Sequence, residues 1–285
     1  MCRFSPTLLC QLLLGTLLLG PARAADTVLW YITELQPLHI SDGPMAEQGM
    51  LDVMLSKVIM PGLPQFKHRV ITASVSRSFR DMSDRTDVCH PSTQMTPERS
   101  KRYLFSAPTF RYLPVGLIVR SDSVGALAAY SNRKGQVVLA QYLKQPGNQL
   151  GVVSNRAYGE ALDTLLQQPN VTSSSASTAT TNLQRMLLGG RITATLGYSF
   201  ETAWFELQNP QHEGKLSWLP LQEQPESMLG RVSCSRSEQG QLLIKQLDQL
   251  LEQAGTRERL QEIYEQWLDP ASRDKIRKIR QGKSR

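Results

Sequence analysis

Residues 87–110 read DVCHPSTQMTPERSKRYLFSAPTF, and this stretch carries the most information about the fold of the chain. The apolar residues after Asp87 predict a strand that ends near Pro91, and Thr96, followed by a proline, predicts the start of a helix. Arg99 then lies one turn into that helix, beside free backbone N–H groups at the carboxyl end of a strand. Ligands of open α/β sheets collect at that edge. A guanidinium next to free N–H groups forms a site for an anion the size of a carboxylate.

Apolar runs of strand length alternate with segments of helical period on both sides of this stretch. The predicted strands cover residues 27–33, 70–72, 87–90, 115–120, 150–153, 171–174 and 192–196. The predicted helices cover residues 50–59, 74–82, 158–167, 181–188, 239–254 and 257–267. This β-α-β-α order occurs once in each half of the chain and predicts an α/β fold with two mostly parallel sheets.

The N-terminus predicts an export signal that is removed from the mature protein. Arg3 precedes an apolar run over 8–19, and a Gly-Pro pair and Ala22-Arg23-Ala24 follow it. We expect cleavage after Ala24, so that residues 1–24 are a signal peptide. The apolar run is about 12 residues long, whereas a membrane anchor needs roughly 20, and we therefore expect no membrane anchor.

The positive charge of the chain is concentrated at its two ends. The formal net charge is +7, but the signal segment and the basic end from Arg273 to Arg285 hold all of the excess, so the body between them is nearly neutral. The basic end has no interleaved aromatic residues that could stack on bases, and we expect no nucleic-acid partner. We interpret residues 271–285 as a frayed basic tail.

Two cysteines, Cys89 and Cys234, remain after removal of the signal. In an oxidising compartment a pair of this kind favours one disulfide, and two buried free thiols are the alternative. The chain has no C-x-x-C motif and no Cys/His cluster, so we expect neither a metal nor another cofactor.

The stretch 87–110 resembles the polar amino-acid-binding branch of the periplasmic solute-binding proteins, bacterial extracellular solute-binding protein family 3, as a divergent subgroup. The family pattern is Asp, a strand, Gly-Met-Ser/Thr-Ile-Thr-x-x-Arg, and then Phe-Ser-x-Pro-Tyr. The residues that fall on this pattern are Asp87, Thr96, Glu98, Arg99, Phe105, Ser106 and Pro108. Weaker matches lie at 34–38, 49–52, 190–192 and 263–268.

The resemblance implies the type II periplasmic binding protein fold, in which two Rossmann-like lobes are joined by two crossing strands and hold a ligand between them. It places the first lobe at 25–115 and 218–270, the second lobe at 116–217, and the basic tail at 271–285. It implies a periplasmic monomer that captures a small polar or anionic solute, carboxylate-bearing or amino-acid-like, and delivers it to an ABC transporter permease. The alternative is that the protein is a ligand-sensing module whose partner is a membrane receptor.

The resemblance assigns the carboxylate of the ligand to Arg99, and a salt bridge from Arg99 to a neighbouring acid is the alternative. Gln94 stands where the family has Ser or Thr, and Ser92 stands where it has Gly. In the second lobe Asn155-Arg156 replaces a Gly-Thr pair, and Tyr198 replaces the acid that takes the ligand's ammonium. With Arg99 and Arg156 expected in one cleft and no matching acid, an anionic or bulkier ligand is favoured over a free α-amino acid.

Further cleft candidates are Glu34, His39 and Tyr158. His39 is otherwise a surface histidine, and His90 is expected to pack rather than to act chemically. Glu201 could restore the missing acid one helical turn after Tyr198, or it could be a solvated helix residue. An enzyme of the lyase type on the same scaffold would need a cleft carboxylate, and only Glu34 and Glu201 are candidates. We therefore predict a binding protein and not an enzyme.

Overall fold

The computed structural model describes residues 26–154, 156–175 and 178–282, and its two five-stranded sheets each form the centre of one lobe. The strands are β1 (Thr27–Ile32), β2 (Lys67–Thr72), β3 (Val88–His90), β4 (Tyr103–Phe105), β5 (Phe110–Tyr112), β6 (Gly116–Arg120), β7 (Leu150–Val153), β8 (Val171–Ser174), β9 (Ala194–Gly197), β10 (Leu216–Leu219), β11 (Met228–Gly230) and β12 (Ser233–Ser235). The predicted α/β class with two lobes is confirmed. The expectation of mostly parallel sheets is wrong, because half of the strand pairs in each sheet are antiparallel.

Helices cover the faces of both sheets. The α-helices are α1 (Met50–Met54), α2 (Met60–Gly62), α3 (Val75–Asp84), α4 (Pro97–Arg102), α5 (Leu139–Leu143), α6 (Glu160–Leu165), α7 (Ala179–Leu188), α8 (Ser199–Gln208), α9 (Glu238–Glu252), α10 (Thr256–Glu265) and α11 (Pro270–Arg280). A π-helical segment, Leu55–Ile59, joins α1 to α2, and 3₁₀ segments lie at Ser121–Tyr130 and Pro210–His212.

The first sheet has the order β2-β1-β3-β12-β4. Its strand β1 pairs in parallel with β2 and β3, and β12 runs antiparallel to β3 and β4. Because β1 has neighbours on both sides and helices over both faces, its apolar run is almost entirely buried, with Trp30 and Ile32 fully inaccessible.

The second sheet has the order β10-β6-β9-β7-β8. The βαβ units make β7 parallel to β8 and β9, whereas β6 is antiparallel to β9 and β10. Strand β10 extends to Leu219, two residues past the boundary predicted at 217. The exact division of the chain between the lobes stays a prediction.

The chain passes between the lobes along β5 and β11, which form an antiparallel pair of their own. Helix α10 holds this crossing in place. The Gln261 side chain accepts a hydrogen bond from the Arg111 N–H at 2.8 Å and donates to the Arg111 carbonyl at 3.1 Å, and the Tyr264 hydroxyl accepts from the Leu113 N–H at 2.9 Å. These bonds tie α10 to the segment that crosses between the lobes.

A disulfide joins Cys89 of β3 to Cys234 of β12. The predicted bridge is therefore confirmed over two free thiols. Because β12 lies in the chain after the second sheet, the bond links the early and late segments that together build the first sheet.

The basic end of the chain forms a helix, and its interpretation as a frayed tail is wrong. Asp269 caps α11 by accepting a hydrogen bond from the Ser272 N–H at 3.0 Å, and Ile276 is fully buried. Arg277 and Arg280 bind the buried carboxylate of Glu265 at 2.6 and 3.0 Å. The interpretation rested on charge alone and did not consider the cap, Asp269, or the apolar residue that packs the helix against the fold, Ile276.

The proposed signal peptide, residues 1–24, lies outside the described residues, as do residues 283–285 of the basic end. Within the described part of the chain, no helix combines the length and the apolar character needed to span a bilayer.

Candidate functional site

A cavity of about 260 Å³ lies between the lobes, at the carboxyl ends of β1 and β3 and beside the crossing strands. Its apolar lining consists of Leu35, Leu38, Met50, Leu51, Val75, Phe79, Phe110, Tyr112, Tyr198 and Phe200. Its polar lining consists of Thr33, His90, Ser92, Thr93, Gln94 and Arg99. The volume is below the roughly 300–1,000 Å³ typical of sites for drug-sized molecules, so a small ligand fits it.

Arg99 is the cation of this cavity. Thr96 caps α4 by accepting a hydrogen bond from the Arg99 N–H at 3.2 Å, which sets the start of the helix. One guanidinium nitrogen, Nη1, donates to the Gln94 carbonyl at 2.9 Å, and the Arg99 Cζ lies 4.5 Å from the centre of the Phe79 ring. Among the described residues no carboxylate lies within salt-bridge distance of Arg99. The guanidinium is oriented by these contacts but keeps N–H donors for a ligand.

His90 and Thr33 add uncharged polar groups to the cavity. The Ser92 N–H donates to His90 Nδ1 at 3.2 Å, which places the proton of the neutral ring on Nε2. Burial, together with a smaller contribution from the nearby Arg99 charge, lowers the pKa of His90 to about 4. The ring is therefore neutral near pH 7. Thr33 Oγ1 is buried without a hydrogen-bond partner, which is costly unless a ligand or water satisfies it.

Arg156 and Glu201 form an ion pair in the second lobe. Arg156 Nη1 donates to Glu201 Oε1 at 2.9 Å, and the other carboxylate oxygen accepts from the Tyr198 N–H at 2.8 Å. The Arg156 Cζ lies 5.0 Å from the ring centre of Tyr198 and 5.5 Å from that of Tyr158. Burial alone would lower the pKa of Arg156, but the Glu201 carboxylate and the Tyr158 and Tyr198 side chains together outweigh burial, and the pKa is raised. Arg156 stays charged, and its charge is balanced within the protein.

The sequence model of the bacterial extracellular solute-binding proteins, family 3, matches residues 51–270 of the chain. The chain belongs to this family. No curated protein sequence matches it.

Several solved structures share the fold of this family 3 protein. A probable amino-acid ABC transporter extracellular-binding protein of Bacillus subtilis, ytmK, is 19% identical, with a TM-score of 0.61 over 86% of this chain and 99% of that one. The periplasmic VFT2 domain of Bordetella pertussis BvgS is 15% identical, with a TM-score of 0.58 over 85% and 94%. A mutant of the T. maritima protein ArgBP is 16% identical, with a TM-score of 0.58 over 85% and 95%. At these identities the likeness establishes the type II periplasmic binding protein fold.

Four of the residues predicted for the site of this family 3 protein share the cavity, namely Ser92, Gln94, Arg99 and Tyr198. Arg156 does not line it, because it turns to Glu201, and the expectation of two free arginines in one cleft is wrong. Glu201 is 1% exposed, so its interpretation as a solvated residue is wrong as well. Asn155 lies outside the described residues.

The other predicted candidates lie away from the cavity. His39 is buried, with Nδ1 2.6 Å from Asp52 Oδ1 and Nε2 2.9 Å from Thr72 Oγ1, so it is neither a cleft nor a surface histidine. Tyr158 is buried, its hydroxyl accepts from the Val153 N–H at 2.8 Å, and burial raises its pKa to about 12.

Glu34 is exposed and accepts a hydrogen bond from the Ser41 hydroxyl. It lines a neighbouring depression of about 440 Å³ together with Gln184 and Glu201. Glu34 therefore lies near the cleft but not on the cavity that holds Arg99.

Sequence reasoning missed most of the aromatic wall of the site. Tyr112 of the crossing strand β5 lies 6.3 Å from Tyr198, and Tyr198 stacks on Phe200 at 4.9 Å between ring centres. Of these aromatic residues, Tyr198 is the one that the sequence had already indicated as a site candidate. His90 was expected to pack, yet it lines the cavity. The wall joins residues of both lobes, so its members are too distant in sequence to form a motif.

Proposed function

We propose that this protein is a periplasmic solute-binding protein that captures a small carboxylate-bearing ligand between its lobes and delivers it to an ABC transporter. The observation that carries the proposal is the placement of Arg99. Its guanidinium has no acid partner among the described residues and lies on a small cavity between the lobes. Membership of family 3 supports the same assignment.

The chemistry of the cavity supports a carboxylate as the bound group. The guanidinium presents N–H donors in a planar fork that matches a carboxylate, and the Phe79 ring and the Gln94 carbonyl orient that plane. A hydrogen bond to a charged group contributes about 1.5 to 3 kcal/mol, more than one between neutral groups. A bound anion would also balance a cation that is partly shielded from water.

The crossing strands allow a ligand to close the lobes. Tyr112 of the crossing strand β5, Tyr198 of the second lobe and Arg99 of the first lobe line the same cavity. A ligand that contacts both lobes binds the closed arrangement more tightly than the open one, and this difference drives closure. A closed protein is a signal that a membrane partner, permease or receptor, can recognise.

Export to the periplasm is supported by the signal pattern of residues 1–24 and by the Cys89–Cys234 disulfide. Disulfides persist in oxidising compartments, and the bacterial periplasm is one of them.

The proposal is tested by thermal unfolding of purified residues 25–285 with a panel of small carboxylates. A ligand at 100 times its dissociation constant adds about 2.7 kcal/mol to the unfolding free energy. Arg99→Ala should abolish this gain without unfolding the protein. The control is Arg102→Ala, which removes an exposed arginine of the same helix that does not line the cavity, and it should keep the gain. A panel without any stabilising compound, or full stabilisation of Arg99→Ala, would contradict the proposal.

We further propose that the protein does not transform its ligand. No Asp or Glu lies among the described residues that line the cavity, so no carboxylate is placed there for acid/base catalysis. Recovery of an unchanged ligand after prolonged incubation is expected, and consumption of a stabilising compound would favour the lyase-type alternative.

A further inference from the structure

The cavity offers a ligand one positive charge, and its described lining offers no negative charge. Arg99 supplies the guanidinium, and the remaining polar lining residues are Thr33, His90, Ser92, Thr93 and Gln94. The neutral His90 ring has its proton on Nε2, so it adds a donor and no acceptor on that nitrogen. This set can satisfy a carboxylate and hydroxyl or carbonyl groups.

An α-ammonium group would have no counter-charge in this cavity. It would lose its hydration on binding and lie near the Arg99 guanidinium, since the amino group of an amino acid is attached to the carbon next to the carboxylate. A buried cation without a partner is strongly unfavourable. Glu201 of the second lobe does not line the cavity, and each of its oxygens already accepts a hydrogen bond, one from Arg156 and one from the Tyr198 N–H.

The rest of the lining is apolar and largely aromatic. Phe79 covers one side of Arg99, and Tyr112, Tyr198 and Phe200 form a connected group of rings opposite the first lobe. The other apolar lining residues are Leu35, Leu38, Met50, Leu51, Val75 and Phe110. Such a surface gains from burying an apolar or aromatic body and gains nothing from a polar one.

We propose that the ligand is an apolar or aromatic monocarboxylate that carries no amino group. This inference rests on the proposed function, because it takes Arg99 as the carboxylate site, and it narrows the ligand class. The Arg156–Glu201 pair is central to it, since the Glu201 carboxylate already serves Arg156 and not the ammonium of a zwitterionic ligand.

The inference is tested by isothermal titration calorimetry of residues 25–285 with two matched pairs of compounds. The pairs are 3-phenylpropanoate with L-phenylalanine and 4-methylpentanoate with L-leucine, and the members of each pair differ by the amino group alone. We expect each amine-free acid to bind at least about 100-fold more tightly than its amino acid. The neutral 3-phenylpropanamide should bind weakly. The Arg99→Ala variant should no longer bind the amine-free acids, whereas the Arg102→Ala variant should bind them with the affinity of the wild type.

The outcomes separate this inference from the proposed function. If an amino acid of a pair binds as tightly as its amine-free partner, and Arg99→Ala loses both, the carboxylate site stands and the inference is overturned. If the wider carboxylate panel yields only polar or dicarboxylate ligands that need Arg99, the inference is overturned and the proposed function again stands. If no carboxylate of any kind binds, both fail.

Discussion

Arg99 of the first lobe and Arg156 of the second lobe differ in their surroundings, and only Arg99 lines the cavity. Arg99 is held by a carbonyl and an aromatic ring and keeps its charge available. Arg156 is paired with Glu201, whose side chain is 1% exposed, and this pair also fixes the start of α8 through the Tyr198 N–H. The arginine that we propose to bind a ligand is thus distinct from the arginine whose ion pair stabilises the fold.

Glu201→Gln should destabilise the protein by about 3 kcal/mol, because it leaves the largely buried Arg156 without its counter-charge. Urea unfolding followed by circular dichroism measures the change. The matched control is Glu213→Gln, which alters an exposed acid. Its free energy of unfolding should stay within about 0.5 kcal/mol of that of the wild type.

Replacing both partners, as Arg156→Met with Glu201→Leu, should recover much of the loss, since apolar side chains can substitute for a buried ion pair. Equal stability of Glu201→Gln and Glu213→Gln would contradict the structural role assigned to the pair.

His90 should make the protein less stable in mild acid. Its pKa is about 4 in the folded protein against 6.5 for the free side chain, so between these values the unfolded chain binds a proton that the folded chain does not. Stability therefore falls as the pH drops through this window, and His90 adds no further loss below about pH 4. From pH 7 to pH 5 the wild type should lose about 2 kcal/mol more than His90→Gln. Parallel pH profiles for the two proteins would show that the ring is not held neutral.

At the scale of single elements, the three-residue strand β3 contributes both to the core and to the proposed ligand site. Successive side chains of a strand point to opposite faces, so Cys89 enters the core and bonds to Cys234 of β12 while His90 lines the cavity. The strand can therefore hold His90 and the following segment, which carries Ser92 and Gln94, in fixed positions next to Arg99.

The double variant Cys89→Ser with Cys234→Ser should unfold at lower urea concentration than the wild type. The bond closes a loop with a sequence separation of 145, for which chain entropy predicts up to about 5 kcal/mol. A reducing agent should lower the stability of the wild type toward that of the double variant, and it should leave the stability of the variant unchanged. A variant as stable as the oxidised wild type would show that the paired strands hold without the bond.

Helices and strands whose own residues show an apolar pattern or a capping residue were predictable from the sequence. Strand β1 has a continuous apolar run, α4 has its Thr96 cap and N-terminal proline, and α9 and α10 have apolar faces of helical period. The three-residue strands β4, β5, β11 and β12 were not predicted, because they are too short to show a period and are defined by partners far away in the chain.

The same division holds for the site: residues close together in the chain were predictable, and contacts between residues far apart in the chain were not. Arg99, Gln94 and Ser92 belong to one continuous segment, and the sequence placed them together. The Arg156–Glu201 pair joins residues 45 positions apart, and the contact of Tyr112 with Tyr198 joins the crossing strand to the second lobe. The prediction for His39, a cleft or surface histidine, failed because nothing in the local sequence indicates that its ring turns inward to Asp52.

At the scale of the whole molecule, the lobes meet in aromatic contacts on more than one side. Trp204 of α8 lies 5.8 Å from Trp267, which follows α10, and Tyr112 meets Tyr198 beside the cavity. Opening of the lobes about β5 and β11 would separate these rings, and a ligand that favours closure would keep them together.

Ligand binding should therefore change the tryptophan fluorescence of the protein. Trp267→Phe and Trp204→Phe should each remove most of the change, because the contact needs both rings. Trp218→Phe, which removes a tryptophan outside this contact, should keep it. An unchanged spectrum at a ligand concentration that saturates the calorimetric signal would show that the lobes do not move.

The central claim is that Arg99 holds the carboxylate of a ligand in the cavity between the lobes. A crystal structure of residues 25–285 with the tightest-binding carboxylate tests it most directly. We predict both carboxylate oxygens within about 3 Å of the Arg99 guanidinium nitrogens, with the body of the ligand against Phe79 and Tyr198. A carboxylate bound to Arg156, or a ligand outside this cavity with Arg99 turned away from it, would contradict the account.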